Sequence, residues 1–528
     1  MEIPAMLETG RAGAAPVADA PCGAISGLRV EGVQQYLGIP YGTARRFETA
    51  EPCPPFTAPY RAEARGPRCP QIRRMAQGDW LNFLNDPTPT GEDCLVLNVF
   101  APDIPATGKR PVMVWLHGGG YISGSGGSPG ADGSHLAARG DVVVVSLNHR
   151  LNAFGFTYLP EIVPGHTGVN TGMTDIVLAL KWVRDNVAAF GGDPGNVTIF
   201  GQSGGGSKVA ILMAMPSAEG LFHRAVVQSA SSLLRMATPE RATRCARLLL
   251  EELGIDDPTP EALSAADPET VLQARLRAVA RNDGIDDFRP VVDPGTLPAN
   301  PFEPASLARS AHIPLMIGTC EDEMSFFLAA AGVDFDRIDM DMARARFAGF
   351  SRASPDLAGA VLDNIRAGHP DELPSQILVR ALSEQMYRRN DREAADLRTA
   401  AGGAPVWTYL FRWKTAALDG HLKSPHTMCI PFIFGSVAAA APLLGRPEQA
   451  RALADSVMDT WLAFARTGDP NHAGLPDWPV HETTTRPTMI FDDECHVAMD
   501  PLPETRKAIA ACPAYSTDSG AATLGAAV

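Results

Sequence analysis

A short apolar strand that runs straight into a glycine-fenced serine constrains this chain more than any other feature. It reads Asn196-Val197-Thr198-Ile199-Phe200-Gly201-Gln202-Ser203-Gly204-Gly205-Gly206. Ser203 is the centre of a Gly-x-Ser-x-Gly pattern. A strand that reverses into a helix within a few residues strains the turning residue, and only small neighbours fit beside it. That strain lifts the serine hydroxyl clear of the backbone, where a base and a substrate can reach it. The pattern alone is weak in a chain with 49 glycines. Its context is what gives it meaning, because a helix-compatible run, residues 207–215, follows the strand and the turn.

A second glycine cluster lies upstream. The strand candidate 111–116 ends in His117-Gly118-Gly119-Gly120-Tyr121. When an ester is attacked, its carbonyl oxygen becomes negative, and backbone N–H groups aimed at that oxygen stabilise it by about 3–4 kcal/mol per donor. Consecutive glycines let the backbone come close with no side chain in the way. Gly119, Gly120 and Gly204 are the expected donors. Glycine loops also serve as plain connectors, and residues 124–130 are one more such cluster, but the position after a buried strand sets the first apart.

Other strand candidates are 142–147, 197–200, 224–228, 313–318 and 406–411, and helical patterns such as 174–190 lie between them. This alternation implies a mostly parallel central sheet with helices on both faces. Residues 334–399 are charged and helix-rich, and they interrupt the strand pattern as an insertion over the C-terminal edge of the sheet. The chain therefore divides into one α/β catalytic domain, residues 21–512, with 1–20 and 516–528 as small, polar, flexible ends.

Composition excludes several functions. The chain has 45 basic and 60 acidic residues, a net charge of −15, which argues against nucleic acid and against an anionic membrane as partner. Its apolar runs are too short to span a bilayer. The amino terminus has no basic and then apolar leader, so a cytoplasmic setting is expected. Nine cysteines show no paired metal-ligand spacing. No metal and no cofactor is expected. Oligomeric state leaves no trace in the sequence.

The residues above, and several dispersed segments, resemble the type-B carboxylesterase family, the cholinesterase-like group that includes bacterial para-nitrobenzyl-type esterases. Residues 190–205 resemble the family's serine signature. Glu92-Asp93-Cys94-Leu95-Val96-Leu97-Asn98-Val99 resembles its second signature, with Val96 where an aromatic or Thr is usual. Segments 37–42, 148–156, 220–225 and 464–471 are similar too, so the resemblance covers about residues 24–495. It implies an α/β-hydrolase fold with helical insertions over the active site. It also implies a serine, an acid and a histidine in that chain order.

The resemblance places the acid in Glu321-Asp322-Glu323 and maps it to Glu323, with Met324 where glycine is usual. The other two carboxylates are expected to be solvated. Among 12 histidines it selects His426, which opens His426-Thr427-Met428-Cys429-Ile430-Pro431-Phe432, over nearby His421. Two departures remove negative charge: Gln202 replaces a glutamate and Cys429 an acidic residue. Affinity for cationic esters is therefore not expected. Cys69 and Cys94 match a family disulfide position, and the sequence leaves open whether the pair is oxidised or stays reduced as in a cytoplasm. The other cysteines suggest no pairing.

The expected activity is hydrolysis of small-molecule carboxylic esters through an acyl-enzyme. One alternative is the same triad acting on amides or carbamates. A second is a non-catalytic recognition protein on the same fold. Trp80, Phe288, Phe326 and Phe327 are the candidate pocket walls.

Overall fold

The computed structural model describes residues 15–72, 78–105, 108–231 and 233–515. Its centre is an eleven-stranded sheet. In chain order the strands are β1 (Leu28–Val30), β2 (Val33–Pro40), β3 (Val96–Pro102), β4 (Arg110–Leu116), β5 (Val143–Leu147) and β6 (Gly192–Gln202). They continue with β7 (Arg224–Gln228), β8 (Leu315–Cys320), β9 (Val406–Phe411), β10 (Pro487–Phe491) and β11 (His496–Met499). Across the sheet they stand in the order β1-β2-β3-β5-β4-β6-β7-β8-β9-β10-β11. The run from β5 to β10 is parallel, and antiparallel strands flank it at both edges. The expected mostly parallel sheet is what forms.

Alternation along each strand builds two cores. In β4, Val112, Val114 and Leu116 enter one apolar cluster and Met113 and Trp115 the other. In β7, Ala225 and Val227 face the first and Val226 the second. Both sets are buried because helices cover both faces, which is why these strands are apolar throughout. Helices Thr171–Asn186 and Gly204–Ala214 pack on the first face; Ser134–Gly140 and Pro447–Thr467 pack on the second.

The segment 334–399 is helical, as expected. Helices Met340–Ser351, Pro355–Gly368 and Pro374–Ser383 share a small core of Phe347, Leu362, Ile377 and Leu382, which also takes in Met324. A π-helical turn, Glu384–Arg388, joins them to helix Arg389–Ala400.

One expectation is corrected. Residues 17–20 are not a frayed end: Val17–Ala20 is a strand paired antiparallel with Gly23–Ser26, and Tyr60–Arg61 completes a small sheet. Ala18 and its cross-strand partner Ile25 are buried in the first core. Residues 1–14 and 516–528 lie outside the described residues, and with them most of the segment on which the cytoplasmic expectation rested. No described helix is long and apolar enough to cross a membrane.

Candidate active site

Ser203 sits between β6 and the helix Gly204–Ala214 with φ 59° and ψ −125°, a conformation that side chains rarely adopt. Such a backbone costs on the order of 1–3 kcal/mol and persists only where its surroundings enforce it. Here the Ser203 N–H donates to the Gln228 carbonyl at 2.7 Å, and the Ser207 N–H returns to the Ser203 carbonyl at 3.0 Å. The glycines are a steric necessity. A Cβ on Gly205 would overlap the Leu116 carbonyl, and one on Gly204 would overlap Gly120. The elbow and the glycine loop after β4 therefore touch backbone to backbone.

In that loop Gly119 and Gly120 have φ of 90° and 63°. Gly204 opens its helix, so its N–H has no carbonyl four residues back to bond. The three glycines named from sequence thus lie together beside Ser203, against which Gly118 also packs.

Glu323 follows β8 and opens helix Glu323–Ala330. It is fully buried, as is His426 at 2% exposure. One carboxylate oxygen accepts the Cys320 N–H at 2.7 Å, and the other accepts from His426 Nδ1. That bond puts the proton of a neutral imidazole on Nδ1 and leaves Nε2 bare. His421, the rival histidine, instead stacks on Phe335 and faces Asp336.

The ring lies against the elbow: the side-chain nitrogen of Gln202 stands 3.1 Å from Nε2 and 3.4 Å from Nδ1, over the face of the imidazole. Ser203 and His426 are thus brought to one place, although among the described residues no hydrogen bond joins their side chains. The sequence marked Gln202 as a lost negative charge; its contact with the imidazole was not legible there.

Glu321 and Asp322 correct a second expectation. Both are buried, not solvated. Glu321 meets Arg380 at 3.1 Å, Arg412 at 2.9 Å and Lys414 at 2.8 Å, and Lys414 also meets Asp322 at 2.8 Å. Burial works to raise the Glu321 carboxyl, but these three cations outweigh it and hold it well below the usual carboxylate range. The cluster anchors the turn that carries Glu323.

Aromatic rings wall the imidazole. Ring centres of Phe327 and Tyr387 lie 5.0 Å from that of His426, Phe326 lies at 5.8 Å, and Trp80 packs edge-on to Phe326 at 5.5 Å. Tyr387 comes from the π-helical turn, a placement no periodicity discloses. Phe288 does not belong here; it is buried in the first core.

The sequence also missed Asp391. This buried carboxyl is pushed well above its usual range, first by burial and then by the charge of Glu323. The cysteines are all free thiols. Buried Cys94 lies beside Cys69, the pair the resemblance matched. Cys320 and Cys429 make an equivalent buried contact that their spacing does not suggest. Among the described residues no cluster of three metal-ligating side chains occurs.

A sequence model of the carboxylesterase family matches residues 14–507. The chain belongs to the carboxylesterase family. It is 35% identical over 500 residues to a para-nitrobenzyl esterase of Bacillus subtilis (strain 168), covering 92% of this chain and 96% of that protein. It is 32% identical over 502 residues to a phenmedipham hydrolase of Pseudarthrobacter oxydans, covering 92% and 97%. Among solved structures, a carboxylesterase of Geobacillus stearothermophilus superimposes with a TM-score of 0.80 at 33% identity, covering 93% of this chain and 99% of that one. The protein is a carboxylic ester hydrolase with an α/β-hydrolase fold, and the esterase acts on small-molecule esters.

Proposed function

We propose that Ser203 is the nucleophile, His426 the general base and Glu323 the acid of this esterase. Gly119, Gly120 and Gly204 are the oxyanion donors. The observation that carries the proposal is the placement of His426: Nδ1 on the buried Glu323 carboxylate, and the ring against Gln202, the neighbour of Ser203. In this scheme Nε2 takes the Ser203 hydroxyl proton as Oγ bonds to the ester carbonyl carbon. The oxygen takes the negative charge and the glycine N–H groups receive it. Collapse breaks the bond to the alcohol, which leaves with the proton from Nε2. Water, deprotonated by the same nitrogen, then attacks the acyl-enzyme and releases the acid.

Uncharged esters are the proposed substrates. Gln202 carries no charge beside the imidazole, Cys429 stands where the family has an acidic residue, and the walls are aromatic. Para-nitrobenzyl esters and phenmedipham, after the two relatives, are the first compounds to assay. A cytoplasmic setting remains part of this reading, and cell fractionation tests it.

Ser203→Ala tests the assignment. Turnover of a para-nitrophenyl ester is expected to fall to background in a protein that melts like the parent. A fluorophosphonate should label the parent at Ser203 and leave the variant unlabelled. Turnover near the parental rate in Ser203→Ala would refute the triad.

A further inference from the structure

Lys208 is the one charged side chain in the helix Gly204–Ala214, and it is completely buried. An ammonium in such a place normally faces a carboxylate. Among the described residues Lys208 makes no ion pair. Its Nζ donates to the carbonyl oxygen of His117 at 3.1 Å. His117 is the last residue before Gly118-Gly119-Gly120.

That bond is the first of a series. The Gly118 carbonyl accepts from His117 Nδ1 at 2.8 Å, and the Gly119 carbonyl accepts from the Ser123 N–H at 3.1 Å. A trans peptide unit is planar, and its N–H points away from its C=O. Three consecutive peptide planes are therefore held by their carbonyls, at His117, Gly118 and Gly119. The N–H groups of Gly118, Gly119 and Gly120 are aimed the opposite way.

We propose that Lys208 is a positioning residue for ester hydrolysis: through the His117 carbonyl it fixes the Gly118 peptide plane, from which the donor planes of Gly119 and Gly120 follow, and sets an unpaired positive charge against the backbone of that loop. This rests on the assignment of Gly119, Gly120 and Gly204 as oxyanion donors. The charge attracts an oxyanion more than a neutral carbonyl, so Lys208 favours the transition state over bound substrate. The chain retains a costly buried cation where methionine would pack, a pattern typical of functional sites.

The neighbours fit. His117 stacks on His149, with ring centres 5.0 Å apart at 16°. Burial first, and Lys208 second, press the His117 imidazole down to about 3, and His149 is lowered by the same two causes. Both rings therefore stay neutral, and Arg150, which follows His149, is engaged with Asp175. Burial alone brings Lys208 down to about 7, so its charge is lost as pH rises beyond neutrality.

The test is Lys208→Met, assayed with para-nitrophenyl acetate and counted by fluorophosphonate titration. The expected kcat per titrated site falls at least about tenfold, less than loss of a whole donor would cause. KM should stay within about twofold, and Tm at pH 7 should not fall. The parent should also lose rate between about pH 7 and 9, and the variant should not. Should Lys208→Met not fold, Lys208→Gln is measured in the same way. Sites that label normally and turn over at the parental kcat overturn the role of Lys208 alone. A parent that does not label at Ser203 overturns the triad with it. A lowered Tm with kcat per site unchanged makes Lys208 a stability residue and also overturns the proposal.

Discussion

The side-chain nitrogen of Gln202 stands 3.1 Å from Nε2 and 3.4 Å from Nδ1 of His426, over the face of the ring that the proposed mechanism makes the base. With Nδ1–H committed to Glu323, Nε2 is the acceptor of the ring, and an amide nitrogen this close to both ring nitrogens lies off its in-plane lone pair.

Gln202→Glu replaces that amide with a carboxylate. A negative charge beside the ring favours its protonated form. The acid limb of kcat/KM should move to higher pH by on the order of one unit. KM for a choline ester should fall relative to an uncharged ester of equal size. An unmoved acid limb in a pH–rate profile would count against the proximity of residue 202 to the base.

Glu323→Gln keeps the shape of the acid and removes its charge. The imidazole then loses its stabilising partner at the moment it becomes a cation. A fall in kcat of about ten-thousand-fold is expected, with KM little changed. Loss of less than about tenfold in steady-state assays would mean that Glu323 is not the orienting acid.

Asp391→Asn tests the state of a carboxyl. Burial first and the charge of Glu323 second raise Asp391, which favours its neutral form. The amide is close in shape and also neutral, and kcat should stay within about threefold. The raised carboxyl favours the fold in acid and penalises it as pH rises beyond the unfolded value, about 3.9. Melting curves should therefore show Asp391→Asn gaining on the parent at pH 8 and losing that gain near pH 4. A tenfold drop in kcat would show that the acid is ionised and used.

Acid stability follows from the anchor of the Glu323 turn. Burial works to raise the Glu372 carboxyl, and hydrogen bonds from Arg380 and Lys423 outweigh it, bringing it to about 2. Glu321 is depressed in the same sense. A carboxyl lowered in the fold stabilises it above its unfolded value, about 4.3, and that stability disappears as pH falls through the folded value. Tm should hold from about pH 7 to 5 and drop steeply between about 5 and 2. Arg380→Met, which frees both carboxylates of a partner, should lower Tm at pH 7 and flatten the drop. Equal melting of the parent at pH 6 and pH 3 would refute this.

Local pattern was enough for much of this protein. The strand that ends at Gln202, the glycines around Ser203 and the alternation of apolar strands with helices are near-neighbour properties. The chain must satisfy them within a few residues, so they are legible in order. Resemblance located Glu323 and His426, which no spacing rule links to Ser203 across more than a hundred positions each.

Folding alone decided the rest. Whether Glu321 is solvated depends on Arg380, Arg412 and Lys414, which arrive from two other elements. Tyr387 reaches His426 because a π-helical turn rotates it there. Lys208 looks like one polar residue in a helix until β4 brings the His117 carbonyl to it. Burial and charge are sums over everything that surrounds a group. Those sums exist only once distant segments have been packed against it, and they set which carboxyl is charged, which imidazole nitrogen is bare and which lysine can hold a peptide plane in place.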